Sequence, residues 1–513
     1  MTKKFDKVLI LLSVFYIVFP IILFVFGWLK LPLAIVVSIP IIFMSFRVFK
    51  QISACEEISI TVNPRFWVIA LLTIAVWVLF SGIGNFSFQT GDFIVRNPMF
   101  RDLERYSWPV LFDLSEQPDI VKQFTGNNDS ALYVYYFAWW LPAAFLARCM
   151  FVVGFMPSNV EIYAQIALYI WAVLGLFLTF YCLVRYLKKY SYWILSAFVL
   201  FGGLDIIPYF IINTRLPRYE HIEWWAGGIC AFFQYSANTT QLYWVFNQSI
   251  PVWLIVAVLL LMKQNSSKAA WSSLCIAYSP YATIGMIPIA VYSILKKDDQ
   301  KLSKRIMSAV SFENISVVVV MAITFVSFYF LEMKAGTASG GFLFSQHREF
   351  RTFTIYVAFV IVEFLIYFII MGKTARKYEY YWVVLIELFI LPLFKSGMNN
   401  DFTMRASIPA LFILMVLCLQ YVFEMHDKNL VKNRNIMLIC LCLGYLVSYT
   451  EIQRNVAMTL TVSQHDYIIE DVYSFGHMFT DSEYQIQVNI NQYMSLEEDY
   501  KGSFFYKYLM KKK

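Results

Sequence analysis

The chain has 513 residues, 59% of them hydrophobic and 15% charged, with a mean hydropathy of +0.60. An ordinary soluble domain carries roughly 25% charged residues, so a soluble globular protein is excluded, and the absence of alternating ten-residue strands excludes an outer-membrane barrel. The net charge of +7 falls in small basic groups between apolar runs, where membrane orientation accounts for it, so no nucleic-acid partner is expected.

Apolar runs of about 20 residues recur along nearly the whole length. They predict an all-α, polytopic transmembrane helical bundle of about 11 to 13 helices, integral to the cell membrane. The eight cysteines form no CxxC pair. Cys149, Cys182, Cys275, Cys418, Cys440 and Cys442 lie within or beside apolar segments and read as small buried hydrophobes.

Lys3, Lys4 and Lys7 place the N-terminus in the cytoplasm, followed by a retained first span over 8–26. Residues 31–46 return the chain inside, 66–86 exit, and 87–130 form the first large outer loop. Residues 131–153 re-enter and 163–184 exit. The stretch 192–212 is broken by Gly202-Gly203 and Asp205, so it reads as a pair of short helices returning to the outer side; irregular backbone is tolerated only when buried in protein or lining a cavity. Residues 213–249 then form a second outer loop and 250–262 enter. Ser279-Pro280 splits 271–295 into two half-helices. Spans follow at 315–331, 353–371, 381–394, 406–423 and 436–449, which leaves the polar tail from Thr450 outside as a small appended subdomain. The units expected are an N-terminal hairpin and cytoplasmic loop (1–65), a membrane core (66–300), C-terminal helices (301–449) and the tail (450–513).

In the first outer loop, Asn97 reads as an N-cap with Pro98 at the first helical position, opening an amphipathic helix over 97–112. Phe100 and Leu103 share one face; Arg101 and Arg105 are one turn apart on another. Such a helix lies in the headgroup plane. Asp92 stands just before it. A carboxylate there can deprotonate an acceptor hydroxyl while Arg96, Arg101 and Arg105 stabilise a departing phosphate.

The second loop carries Arg218, His221, Glu223, Trp224 and Trp225, then a polar run from Gln234 through Tyr235 and Asn238 to Gln241. Aromatic faces with amides and hydroxyls suit sugar rings. His221 and Glu223 are candidates for a second acid/base or a metal ligand, although their spacing is no standard metal motif. Asp205 is an intramembrane acid, a functional candidate by default, and a half-helix cap is the plainer account of it. Glu161, Glu363 and Glu387 fall in or beside spans. Arg348 and Arg351, with Lys395, Asp401 and Arg405 in the turn near 395–405, put charge on the outer side, against the usual bias; an anionic lipid phosphate explains it. Arg185, Lys188 and Lys189 are better explained by a misplaced span boundary.

With these pieces in order, the chain resembles the GT-C superfamily of integral-membrane glycosyltransferases. Asp92 with its following helix matches the acid of that family's first outer loop. Leu132-Tyr133-Val134-Tyr135-Tyr136-Phe137 through Pro142 and Phe155 resembles the re-entry after that loop. Residues 163–186 resemble the next exiting span, and Ser279-Pro280-Tyr281-Ala282-Thr283-Ile284-Gly285 a later short-helix pair. The resemblance covers 66–300. Two spans rather than one precede the loop, the loop has one well-placed acid, and Asp129-Ser130-Ala131 stands where the family has His-Pro.

The resemblance implies a GT-C-like bundle in a bacterial membrane that transfers a sugar from a polyprenyl-phosphate donor to a glycan or lipid acceptor. Asp92 would be the base and the outer cations would hold the phosphate; a divalent cation, Mg2+ or Mn2+, is left open as cofactor. The alternatives are a transporter or flippase, or a polymerase, of lipid-linked oligosaccharides. A transporter predicts acids and arginines deep within several spans. In this sequence they gather in the outer loops, which favours the enzyme.

Overall fold

The computed structural model describes residues 3–54, 63–115, 119–225, 230, 232–296, 301–333, 340–396, 400–428, 430–461 and 493–512. It is mostly helical, at 77%. Eight helices are long and apolar enough to cross a membrane: Lys3–Trp28, Leu31–Ser53, Pro157–Leu187, Asn238–Leu261, Phe312–Leu331, Phe350–Met371, Ile408–Asp427 and Val431–Thr461. Four shorter apolar helices, Pro64–Leu79, Ala138–Val153, Pro280–Leu295 and Tyr381–Leu393, pack among them. Eight long and four shorter apolar helices among the described residues make twelve, within the 11 to 13 expected. Val36 and Ile39 are each 60% exposed, and Leu72, Ile170 and Ile369 also face outward. Apolar side chains turned out along helix flanks need a lipid-like surrounding. This is the build of a multi-pass membrane protein.

Local chemistry sets the helix starts. Asn63 Oδ1 accepts from Arg65 N at 3.1 Å, Ser279 Oγ from Ala282 N at 3.1 Å and Ser311 Oγ from Asn314 N at 3.1 Å, each satisfying a donor that a helix N-terminus leaves unpaired. The first helix is sewn to Pro157–Leu187 at mid-length. The Tyr16 ring stacks on Trp171 at 4.1 Å and its hydroxyl accepts from Trp139 Nε1 at 2.8 Å.

The broken segments take the expected form. Tyr192–Leu200 and Ile206–Asn213 flank an irregular stretch at 201–205. Lys268–Ser273 and Leu274–Ala277 lead up to a turn at Ser279-Pro280, and Pro280–Leu295 leads away. Asn238–Leu261 also breaks, at Val245 (φ −140°, ψ 38°), so its first two turns form a separate short helix. Residues 322–326 and 361–365 are π-helical turns inside long helices.

Several expectations are corrected. The amphipathic helix runs Phe93–Arg105 with Pro98 inside it; Asn97 caps nothing, because its amide is bonded to Gln89 at 2.8 Å. Beyond Arg105 the chain is extended, and Leu111–Asp113 pairs antiparallel with Ser130–Tyr133. These few short strands sit on a fold that is otherwise helical, as an all-α bundle requires. The described part of the tail rests on the bundle: Met494–Leu496 adds a third strand beside Ser130–Tyr133, and Lys511 N donates to Trp28 O at 2.9 Å. The rest of the tail, 462–492, lies outside the described residues. Cys149 and Cys442 are exposed, not buried. Arg185 pairs with Asp6 of the first helix, which places it at the end of the bundle that begins with Lys3, as a shifted span boundary requires.

Candidate functional site

At the other end of the bundle the Phe93–Arg105 helix lies over the core with Phe100 and Leu103 buried. Asp92 immediately precedes it, its side chain 44% exposed, and its Oδ2 accepts from Arg96 Nη2 at 2.8 Å. Arg96 itself is buried. Its guanidinium sits 4.9 Å from the centre of the Phe246 ring and donates to the carbonyl of Trp244.

The second charged element is Asp401–Ala406. Asn400 takes a left-handed conformation (φ 58°) that Asn tolerates better than most residues. Its amide donates to Phe232 O at 2.8 Å and to Thr403 Oγ1 at 2.6 Å, fixing the turn. Arg405 then pairs with Asp401 at 2.6 Å; its side chain is 14% exposed, and its Nε has no hydrogen-bond partner. Burial works against the Arg405 charge, but Asp401, Tyr136, Tyr135 and Asp92 outweigh it and hold the guanidinium well above its usual range. Asp92 and Arg405, far apart in sequence, therefore lie within one another's field. Tyr135 and Tyr136 stack at 3.8 Å beside them, and Tyr493 approaches Tyr135 at 5.0 Å. Burial pushes the Tyr135 phenol up, with Arg405 opposing.

A buried polar group lies behind this one. Glu451, in the last long helix, accepts from His221 Nδ1 at 2.8 Å, Trp244 Nε1 at 3.1 Å and Arg454 Nη2 at 2.6 Å. Gln234 Nε2 faces His221 Nε2 at 3.4 Å; an amide nitrogen can only donate, so the imidazole proton is assigned to Nδ1. Trp244 joins the two groups, with its indole on Glu451 and its carbonyl on Arg96.

The remaining sequence-predicted residues lie elsewhere. Arg101 and Arg105 are not free for a phosphate, since both pair with Glu161, at 2.6 and 3.5 Å. Glu223 is buried and accepts from Ala237 N at 2.8 Å and Thr240 Oγ1 at 2.9 Å. The run from Gln234 to Gln241 is not a solvent loop. Asn238 Nδ2 donates to Phe198 O at 2.9 Å and Thr239 Oγ1 to Val199 O at 2.8 Å, closing carbonyls that the end of Tyr192–Leu200 leaves unpaired. Tyr235 is buried with its hydroxyl on Leu388 O at 2.7 Å. Arg218 and Arg348 are exposed, and Lys395 stands over the Phe232 ring at 4.4 Å. Asp92, Arg96, Asp401 and Arg405 are thus gathered, and His221 and Gln234 adjoin them through Trp244.

Sequence reasoning missed Glu451 and Arg454, together with Asp102 and Glu104, which are both buried on the Phe93–Arg105 helix; Trp244 reads in sequence as the end of a sugar-positioning loop over 219–244. Glu451 falls in the stretch that reads as an outer tail, whereas it is buried among helices, as are Asp205, Glu363 and Glu387, which read as lying in or beside spans. Among the described residues no cluster of three or more His, Cys, Asp or Glu is arranged to hold a metal ion. Comparison of the chain with family models, curated proteins and solved structures finds no match.

Proposed function

We propose that the chain is a membrane glycosyltransferase that moves a sugar from a polyprenyl-phosphate donor to an envelope glycan or lipid acceptor. The observation that carries this reading is the Asp92–Arg96 pair at 2.8 Å, with Arg405, a near-buried guanidinium with an unpartnered Nε, held in the field of Asp92. A partly exposed carboxylate can take the proton of an acceptor hydroxyl. A preorganised cation beside it can stabilise charge on a leaving phosphate, and in a water-poor site that effect is large. The stacked Tyr135–Tyr136 pair offers ring faces of the kind that sugars pack against. The sequence resemblance to GT-C enzymes agrees with this order of parts. The outward orientation of the Asp92 end, away from the cytoplasm, belongs to the same proposal.

The test is transfer from a radiolabelled polyprenyl-phosphate sugar by the full chain in nanodiscs. Asp92→Asn should lower turnover by about 10²–10⁴-fold, and turnover that survives it removes the reading. The buried acids favour a second reading, a transporter of lipid-linked oligosaccharides. It predicts movement of the labelled lipid between leaflets of proteoliposomes with no sugar transferred.

A further inference from the structure

The irregular stretch 201–205 brings together acids that the proposed transfer chemistry does not use. Asp205 is fully buried, and neither of its oxygens closes a hydrogen bond of ordinary geometry. The group it faces is another acid, Glu363. Glu363 lies in the 361–365 π-helical turn within Phe350–Met371. Such turns are rare and concentrate at functional positions. Its carboxyl rests on the backbone of Gly203, where a β-carbon would fall 1.8 Å from Oε2. Glu223 completes the group, with Oε2 buried and unpartnered.

A non-acidic side chain also points here. The Trp225 indole N–H is buried and directed at Glu363 without closing a hydrogen bond of ordinary geometry. Depth follows from the packing: Gly202 O accepts from Tyr367 at 2.8 Å, and Gly202 abuts Gly444, inside the long Val431–Thr461 helix. Half-helices broken around an irregular, buried stretch are how membrane proteins build ion sites. No three of these acids are set as metal ligands. Two abutting carboxyls in a poorly polar interior cannot both be ionised, and a proton between them resolves the conflict.

We infer that Asp205, Glu363 and Glu223 form an intramembrane proton-binding site, electrostatically linked to Asp92 through Glu451, Trp244 and Arg96. The titratable groups facing it are few. His221 and Glu223 bear on Asp205; Tyr235 and Tyr367 adjoin Glu363; Glu451 bears on Glu223. Arg454 acts through Glu451. Loss of the proton to water turns the carboxyl into a carboxylate, so the site gains a negative charge on the same network that holds Arg96. The inference does not rest on sugar transfer, because it is measured with no lipid substrate.

The experiment is infrared titration of the full chain in nanodiscs against bulk pH. Wild type should keep a protonated-carboxyl band above the ordinary carboxyl range of about 4 and lose it reversibly as pH rises. Asp205→Asn or Glu363→Gln, each made in a chain carrying Glu104→Gln and Glu387→Gln and checked for folding by size exclusion, should each remove that band. Glu451→Gln takes away a neighbouring negative charge, so the band should vanish at a pH lower by about one unit. If neither acid variant folds, the chain carrying only Glu104→Gln and Glu387→Gln decides, and it should keep the band. A wild-type spectrum with no such band near neutrality, or a band indifferent to pH until unfolding, overturns the site; an unmoved midpoint in Glu451→Gln overturns the link.

Discussion

The backbone of Gly203 lies directly against the carboxyl of Glu363, leaving no room for even a β-carbon, which would stand 1.8 Å from Oε2. The obstructing atom is the end of a side chain. At Gly285 the same construction falls 1.9 Å from the backbone oxygen of Ala406, which cannot swing away. Gly203→Ala should therefore destabilise less than a clash with backbone does, by about 1–3 kcal/mol, and be largely rescued by Glu363→Ala. Gly285→Ala should be more severe, at about 4 kcal/mol or more, and trimming Glu387 should not rescue it. Melting and size-exclusion profiles of the four variants decide the matter; equal rescue at both sites would contradict the contact geometry.

Asn238 and Thr239 close carbonyls at the end of Tyr192–Leu200. Asn238→Leu keeps the volume and removes the donor, leaving Phe198 O without its Asn238 partner. Such a loss costs about 1–3 kcal/mol, and Thr239→Val should behave alike. Thermal unfolding in nanodiscs measures both. A melting point unchanged in either variant would mean that water reaches these carbonyls.

Burial, reinforced by Glu161, holds the Glu104 carboxyl well above its ordinary value near 4.5, with Arg101 and Arg105 opposing. Between that value and the raised one, the folded chain keeps a proton that the unfolded chain has released. Stability is consequently undiminished below about pH 4.5 and falls as pH rises through this window. Glu104→Gln abolishes the titration, so its melting temperature should decline less steeply with rising pH than that of wild type. Parallel curves would refute the assignment.

Glu161 receives both Arg101 and Arg105 with its side chain 29% exposed. Pairs this open to solvent are worth at most about 1 kcal/mol. Glu161→Gln should cost no more than that, and the difference should shrink in high salt. A large, salt-independent loss would indicate a role beyond pairing.

The long apolar runs were legible because membrane helices carry their whole signal locally, and Gly202-Gly203 and Ser279-Pro280 marked true breaks for the same reason. What escaped notice depended on partners distant in the chain. Asn238 and Thr239 read as a sugar-binding loop, since polar residues that cap a broken helix look, in sequence, like polar residues in water. Arg101 and Arg105 looked available because Glu161, itself noticed beside a span, meets them only in three dimensions. Asp92 and Arg405 were both singled out, and their proximity is what the fold added. Asp102 and Glu104 sat in a helix taken as amphipathic, where nothing local distinguishes a buried acid from a solvated one.

Met494–Leu496 joins strands laid down far earlier, and Glu497 Oε2 accepts from Asp129 N, 368 residues before it. A nascent chain emerging from the ribosome inserts every long helix before this strand exists. The sheet that follows the Asp92 helix must therefore wait, half-built, until synthesis has passed the last long helix, so a chain interrupted there lacks its third strand.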